Sequence, residues 1–240
     1  MVSRCLCCCL GIPLTNLTPG VQKQPFCSLA DYFSHKSMGA GMSEIIPGLF
    51  VGNFRDAKDQ EALRNHNITH IVAIHDHPKG QLPHIEYLCL NSADTPTANI
   101  SQFFYKSTEF IHNCRVNQGC VLVHCIAGVS RSVTLTVAYL MTVTDHGWRD
   151  CLKAVKQARQ VANPNFGFQR QLQTFEHTQV GQVRDSMREK FSDSLRERDT
   201  EAIQQLLDKC NQGPQQPNQD NEFYPLPHNA YTQPDQHPPP

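Results

Sequence analysis

With 21 Lys and Arg against 22 Asp and Glu, the 240-residue chain carries a formal charge of −1, which gives no general electrostatic pull toward nucleic acid. Its length suits one domain with tails, and it has no apolar run of about 18 residues of the kind that crosses a bilayer. Eleven cysteines would suit a secreted disulfide scaffold, but apart from Cys5, Cys7, Cys8 and Cys9 they are scattered, and the chain exceeds such scaffolds in size.

Residues 1–37 mix that cysteine cluster with Pro, Gln and Ser and hold no sustained period, so they read as a disordered extension. Met38-Gly-Ala-Gly-Met-Ser43 matches the M-G-x-x-x-[ST] pattern for N-myristoylation. Gly39 is internal in this chain, so only a product started at Met38 would carry the acyl group. A short strand around Ile45 precedes the turn pair Pro47-Gly48, and Asn53 or Asp56 opens a helix running through Asn65. ITHIVAI (68–74) and IEYLCL (85–90) read as strands, and residues 100–116, with Phe103, Phe104, Phe110 and Ile111 apolar, read as a helix. The apolar run Cys120 to Val123 reads as a buried strand of a parallel sheet. SVTLTVAYLMTV, after Arg131, has helical spacing and no Gly or Pro. Further helices are expected over Trp148 to Val161 and Phe168 to Val180, followed by a charged helical extension at 184–208 and a disordered Pro/Gln/Asn-rich tail at 209–240. Strands alternating with helices predict an α/β fold, a partly parallel central sheet flanked by helices. Such a sheet binds its ligand at the carboxyl end of a central strand.

That position is occupied by residues 124–132, a strand-to-helix turn whose amides sit at a helix N-terminus, where anions bind. Helix N-termini and cationic neighbours favour the thiolate of a cysteine over the thiol, and Cys125 would have both, the second being Arg131. The thiolate is the nucleophilic form. The amides of Ile126, Ala127, Gly128, Val129, Ser130 and Arg131 could ring three phosphate oxygens, and Arg131 adds a planar two-pronged donor that lysine would not reproduce. Gly128 allows the backbone to close tightly around the anion. A lone buried cysteine is usually structural. Cys, Gly, Arg and Ser together in one turn weigh against that.

His124-Cys125-x-x-Gly128-x-x-Arg131-Ser132 resembles the signature of the cysteine-dependent protein tyrosine phosphatase superfamily. Ser130 before the arginine resembles the dual-specificity branch. GLFVGNFRDAKD, ITHIVAIHD, SADTP, TVTDHGWRD and ANPNFGFQRQL are similar to the small atypical dual-specificity phosphatases, the group of the JNK pathway-associated and VHY phosphatases. The likeness covers roughly residues 38–208, with the catalytic domain set at 38–183. It implies hydrolysis of phosphotyrosine and phosphoserine or phosphothreonine through a phosphocysteine. In that scheme Asp94, 31 positions before Cys125, is the general acid. Ser132 eases release of the thiolate, His124 helps to hold the loop, and Asn163 braces it. Taken alone, Asp94 before Thr-Pro would read as a turn residue, Ser132 as a helix cap and Asn163 as a turn.

The resemblance also implies phosphorylated protein substrates, kinases of the JNK pathway among the candidates, for a monomer of the cytoplasm and nucleus. Membrane contact, at the inner face of the plasma membrane, would come only with acylation at Gly39. No cofactor is implied. No metal is expected either, since His75 and His77 lack partners at zinc spacing. Three other functions fit these residues less well. A phosphoinositide phosphatase would carry lysines where Ile126 and Val129 stand, and a thiol oxidoreductase would carry Cys-x-x-Cys. A phosphoprotein-binding scaffold with little turnover would have lost the cysteine, the arginine or the acid.

Overall fold

The computed structural model of the chain describes residues 41–191 and 194–212; the extension at 1–37, Gly39 and the tail from residue 213 lie outside the described residues. Among the described residues, five strands form one sheet: β1 (Ser43–Ile46), β2 (Leu49–Gly52), β3 (Ile68–His75), β4 (Glu86–Asn91) and β5 (Cys120–His124), in the order β1-β2-β5-β3-β4. The β1–β2 hairpin is antiparallel, and the β2–β5, β5–β3 and β3–β4 pairs are parallel. The helices are α1 (Gln60–Asn65), α2 (Phe104–Val116), α3 (Arg131–Val143), α4 (Trp148–Ala158), α5 (Phe166–Thr178), α6 (Val180–Lys190) and α7 (Arg196–Gln212). The expected α/β architecture with a partly parallel sheet is what the chain adopts.

Strand β5 lies at the centre and is covered on both faces, which is why its sequence is continuously apolar instead of alternating. Val121 and Val123 enter the larger core under α2 and α3, while Leu122 points the other way, into a smaller cluster with Phe50, Leu63, Ile71 and Ala73. Every residue of α3 is buried, as expected of a helix that is apolar on all sides. Its threonines tolerate burial because the hydroxyls of Thr134, Thr136 and Thr142 each donate to the carbonyl four residues back.

Three elements depart from the sequence expectations. Strand β2 was not anticipated. LFVG is a four-residue run buried throughout, too short for a period, and it hides behind the Pro47-Gly48 turn. The helix expected from Asn53 or Asp56 begins only at Gln60. Asp59 caps it, accepting from the amides of Glu61 (3.1 Å) and Ala62 (3.0 Å). Asp56 instead turns inward within a 3-10 turn, Asp56–Lys58, and accepts from the Asn53 amide at 2.7 Å. Lastly, residues 184–190 and 196–208 belong to two helices that pack on the core through Met187, Ile203 and Leu207, and the boundary set at residue 183 falls inside α6.

Candidate active site

Strand β5 ends by delivering Cys125, only 1% exposed, to a loop that closes at Arg131, the first residue of α3. The loop is held from outside by its carbonyls. Those of Ile126, Gly128 and Val129 accept from the Phe54 amide (3.2 Å), Arg159 Nε (2.8 Å) and the Asn163 amide (2.8 Å). With its carbonyls engaged outward, the loop can turn amides inward, and the Gly128 amide donates to Cys125 Sγ at 3.2 Å. The Ser132 hydroxyl donates to the same sulfur at 3.4 Å. Gly128 has φ +68°, and a Cβ there would stand 2.5 Å from the Gly52 carbonyl oxygen. Only glycine fits between the loop and β2.

Arg131 is fixed across the mouth of the loop. Its Nη1 donates to the Ser92 carbonyl (2.8 Å) and to Asp76 Oδ2 (3.3 Å). Its Nε lies 3.5 Å from Asp94 Oδ2, is buried, and makes no hydrogen bond. Asp94 is drawn to the loop by partners distant in sequence: its Oδ1 accepts from Ser130 Oγ (2.7 Å) and from Asn165 Nδ2 (2.9 Å). Asn165 also caps α5, its Oδ1 accepting from the Phe168 amide at 3.0 Å. One asparagine thus couples a helix start to the carboxylate beside the loop.

His124 is buried with its Nδ1 3.2 Å from the Cys125 carbonyl, which assigns the proton to that nitrogen. Burial pulls its pKa from 6.5 down to about 4, reinforced by His75, whose ring centroid is 5.8 Å away. His75 is lowered too, by burial and then by Arg131. The histidine at the head of the loop is therefore a neutral hydrogen-bond donor.

Cys125, the loop residues 126–130, Arg131, Ser132, Asp94 and His124 are thus brought together, and Asn163 reaches the loop through its backbone. Arg159 and Asn165 were missed by the sequence analysis. Asn165 precedes a helix by one residue, a capping position that could have been read. Arg159, at the end of a charged helix, gave no signal. It is buried all the same, with Nη1 donating to the Gly41 carbonyl and Ser43 Oγ, both at 3.2 Å. Burial lowers its pKa against the pull of Asp56 and Cys125. Among the described residues, no group of three or more His, Cys, Asp or Glu could hold a metal ion.

A loop built this way takes a tetrahedral anion and sets a sulfur behind it, the arrangement used by cysteine-dependent phosphatases. Residues 49–178 match the family model of the dual specificity phosphatase, catalytic domain. Dual specificity protein phosphatase 22 of Mus musculus is 51% identical over 170 residues, covering 71% of this chain and 92% of the relative. Dual specificity protein phosphatase 15 of Rattus norvegicus is 45% identical over 179 residues, 74% of this chain and 76% of the relative. A crystal structure of DUSP15 superposes with a TM-score of 0.63 at 47% identity, over 65% of this chain and 99% of that one. A second, of the human tyrosine phosphatase-like serine/threonine/tyrosine-interacting protein, gives 0.54 at 40%, over 57% and 95%. The chain belongs to the dual specificity phosphatases and is a protein phosphatase.

Proposed function

We propose that the enzyme hydrolyses phosphotyrosine and phosphoserine or phosphothreonine through a phosphocysteine on Cys125. The observation that carries this is the pair of donors on one buried sulfur, the Gly128 amide and the Ser132 hydroxyl, at the base of a loop that closes on Arg131. In the first step Sγ attacks phosphorus. The bond to the ester oxygen breaks, and the protonated carboxyl of Asp94 gives its proton to the departing alkoxide or phenoxide. In the second step the Asp94 carboxylate takes a proton from water as that water attacks phosphorus. The S–P bond then breaks with its electron pair returning to sulfur, where the Ser132 hydroxyl stabilises the thiolate. Arg131 grips two phosphoryl oxygens, and its unbonded Nε is available for the purpose.

Mixing the enzyme with a radiolabelled phosphopeptide and quenching within milliseconds traps label on the wild-type chain. Cys125→Ser traps none, and Ser132→Ala traps more than wild type because breakdown of the intermediate slows. Label that persists in Cys125→Ser refutes the phosphocysteine.

On this reading the enzyme is a monomer of the cytoplasm and nucleus, compartments reducing enough for a thiolate. Its substrates are signalling phosphoproteins, kinases of the JNK pathway among them, a link supported by the resemblance to the JNK pathway-associated phosphatases. A product started at Met38 exposes Gly39, and one acyl chain there gives weak, reversible contact with the inner face of the plasma membrane, with K about 10⁴ M⁻¹. Mass spectrometry of the mature N-terminus finds acylated Gly39 if this is right, and only chains started at Met1 or Val2 if it is wrong.

A further inference from the structure

Beside the catalytic loop opens a pocket of about 370 Å³, between the 3-10 turn after β2, the carboxyl end of β3 with the loop that follows it, and Tyr87 near the start of β4. It is in the size range of pockets that hold small ligands or single side chains, about 300–1,000 Å³. Ile126, the residue after Cys125, forms part of its wall. A group seated there is a near neighbour of whatever occupies the loop. Successive residues of an extended peptide are only about 3.3 Å apart along the chain, so the occupant lies one or two residues from the phosphoresidue.

The chemistry of the wall is cationic with hydrogen-bond donors. Lys58 and Lys79 both line the pocket, and among the described residues neither has an ion-pair partner. Lys58 Nζ stands 4.1 Å from the centroid of the Phe54 ring, which forms one flank. Asp76, the carboxylate of the lining, is already engaged with Arg131 at 3.3 Å. His75 and His124 are both shifted toward the neutral form, so the positive charge of the wall comes from the two lysines.

We propose that this pocket is a substrate subsite for an anionic side chain next to the phosphoresidue under attack, a carboxylate or a second phosphate held by Lys58 and Lys79. The assignment rests on the protein phosphatase reading and adds a sequence preference to it. Two exposed cations acting on one anion predict a modest selectivity, about three- to tenfold in kcat/KM.

The test uses phosphotyrosine peptides that differ at the flanking positions: glutamate, phosphoserine, glutamine or leucine. The readout is the ratio of kcat/KM for each anionic peptide to that for the glutamine peptide, so a general loss of activity cancels. The full-length wild-type chain is expected to favour glutamate, phosphoserine or both, and the larger ratio identifies the anion. In Lys58→Glu/Lys79→Glu, with both substitutions at exposed positions, the ratio is expected to fall to one or below. A wild-type ratio of one, a ratio unchanged by the double charge reversal, or a preference for the leucine peptide overturns the subsite. Failure to turn over any of the four peptides would instead count against the phosphatase reading itself.

Discussion

Asp94 is held in the resting site by two donors, Ser130 and Asn165, while its other oxygen lies 3.5 Å from Arg131. A bound phosphoryl group claims Arg131, so it is Asn165 and Ser130 that keep the carboxyl aimed during turnover. Asp94→Asn is therefore expected to slow hydrolysis of alkyl phosphate esters by about 10²–10⁴, and far less for an activated aryl phosphate whose leaving group needs little protonation. Asn165→Ala is expected to show the same substrate dependence on a smaller scale, together with a loss of about 1 kcal/mol in stability from the missing cap. Leaving-group series and thermal melts measure the two. Equal losses on both esters would remove Asp94 from the role of acid. Composition and spacing make Asp94 no more than a turn aspartate; it became a candidate acid only through the resemblance to known phosphatases. In Asn163-Pro164-Asn165 both asparagines are turn formers, and nothing in the sequence distinguishes the one whose backbone meets the loop from the one whose side chain meets the acid.

At the scale of elements, the strand–loop–helix unit was legible because its physics is local. β5 is a short apolar run, α3 an uninterrupted helical one, and the turn between them gathers the reactive residues. β2 was not legible, since a four-residue buried strand takes its identity from its neighbours β1 and β5. The parallel pairing of β3 with β5 sets Ala73 beside His124, and from these strand ends His75 and His124 bury their rings side by side. This gives the fold a pH dependence. Between a folded pKa of about 4 for His124 and about 6.5 unfolded, the unfolded chain binds a proton that the folded chain refuses, so stability falls as pH drops through that window. His75 acts in the same direction. From His124 alone the loss between pH 7.5 and pH 5 is about 2 kcal/mol. Urea unfolding at the two pH values checks it, with His124→Asn expected to show a correspondingly smaller difference between them. If wild type and variant lose the same amount, His124 is not buried neutral.

For the whole molecule, the controlling feature is an ion pair that joins segments far apart in the chain. Arg115 at the end of α2 and Asp199 in α7 meet in two bonds of 2.6 and 2.7 Å, their side chains 1% and 0% exposed. Arg115 also donates to the Pro47 carbonyl in the β1–β2 turn and to the Tyr139 hydroxyl in α3, while burial pushes the Tyr139 pKa up to about 12. The family match ends at residue 178, yet the buried network continues to residue 199. In the sequence, Asp199 within RERDTE reads as one more solvated charge, because only tertiary packing reveals that α7 turns this residue inward. Removing one partner strands the other charge in the core, so Asp199→Ala is expected to cost about 3–5 kcal/mol. The paired replacement Arg115→Met/Asp199→Leu is expected to recover most of that loss, since no charge is then left buried alone. Truncation after Phe191 removes Asp199, Ile203 and Leu207 together and is expected to abolish the cooperative unfolding transition. Urea denaturation of the three chains decides. An Asp199→Ala variant as stable as wild type would refute the buried pair's contribution, and a truncated chain that unfolds like wild type would show that α7 is dispensable to the catalytic domain.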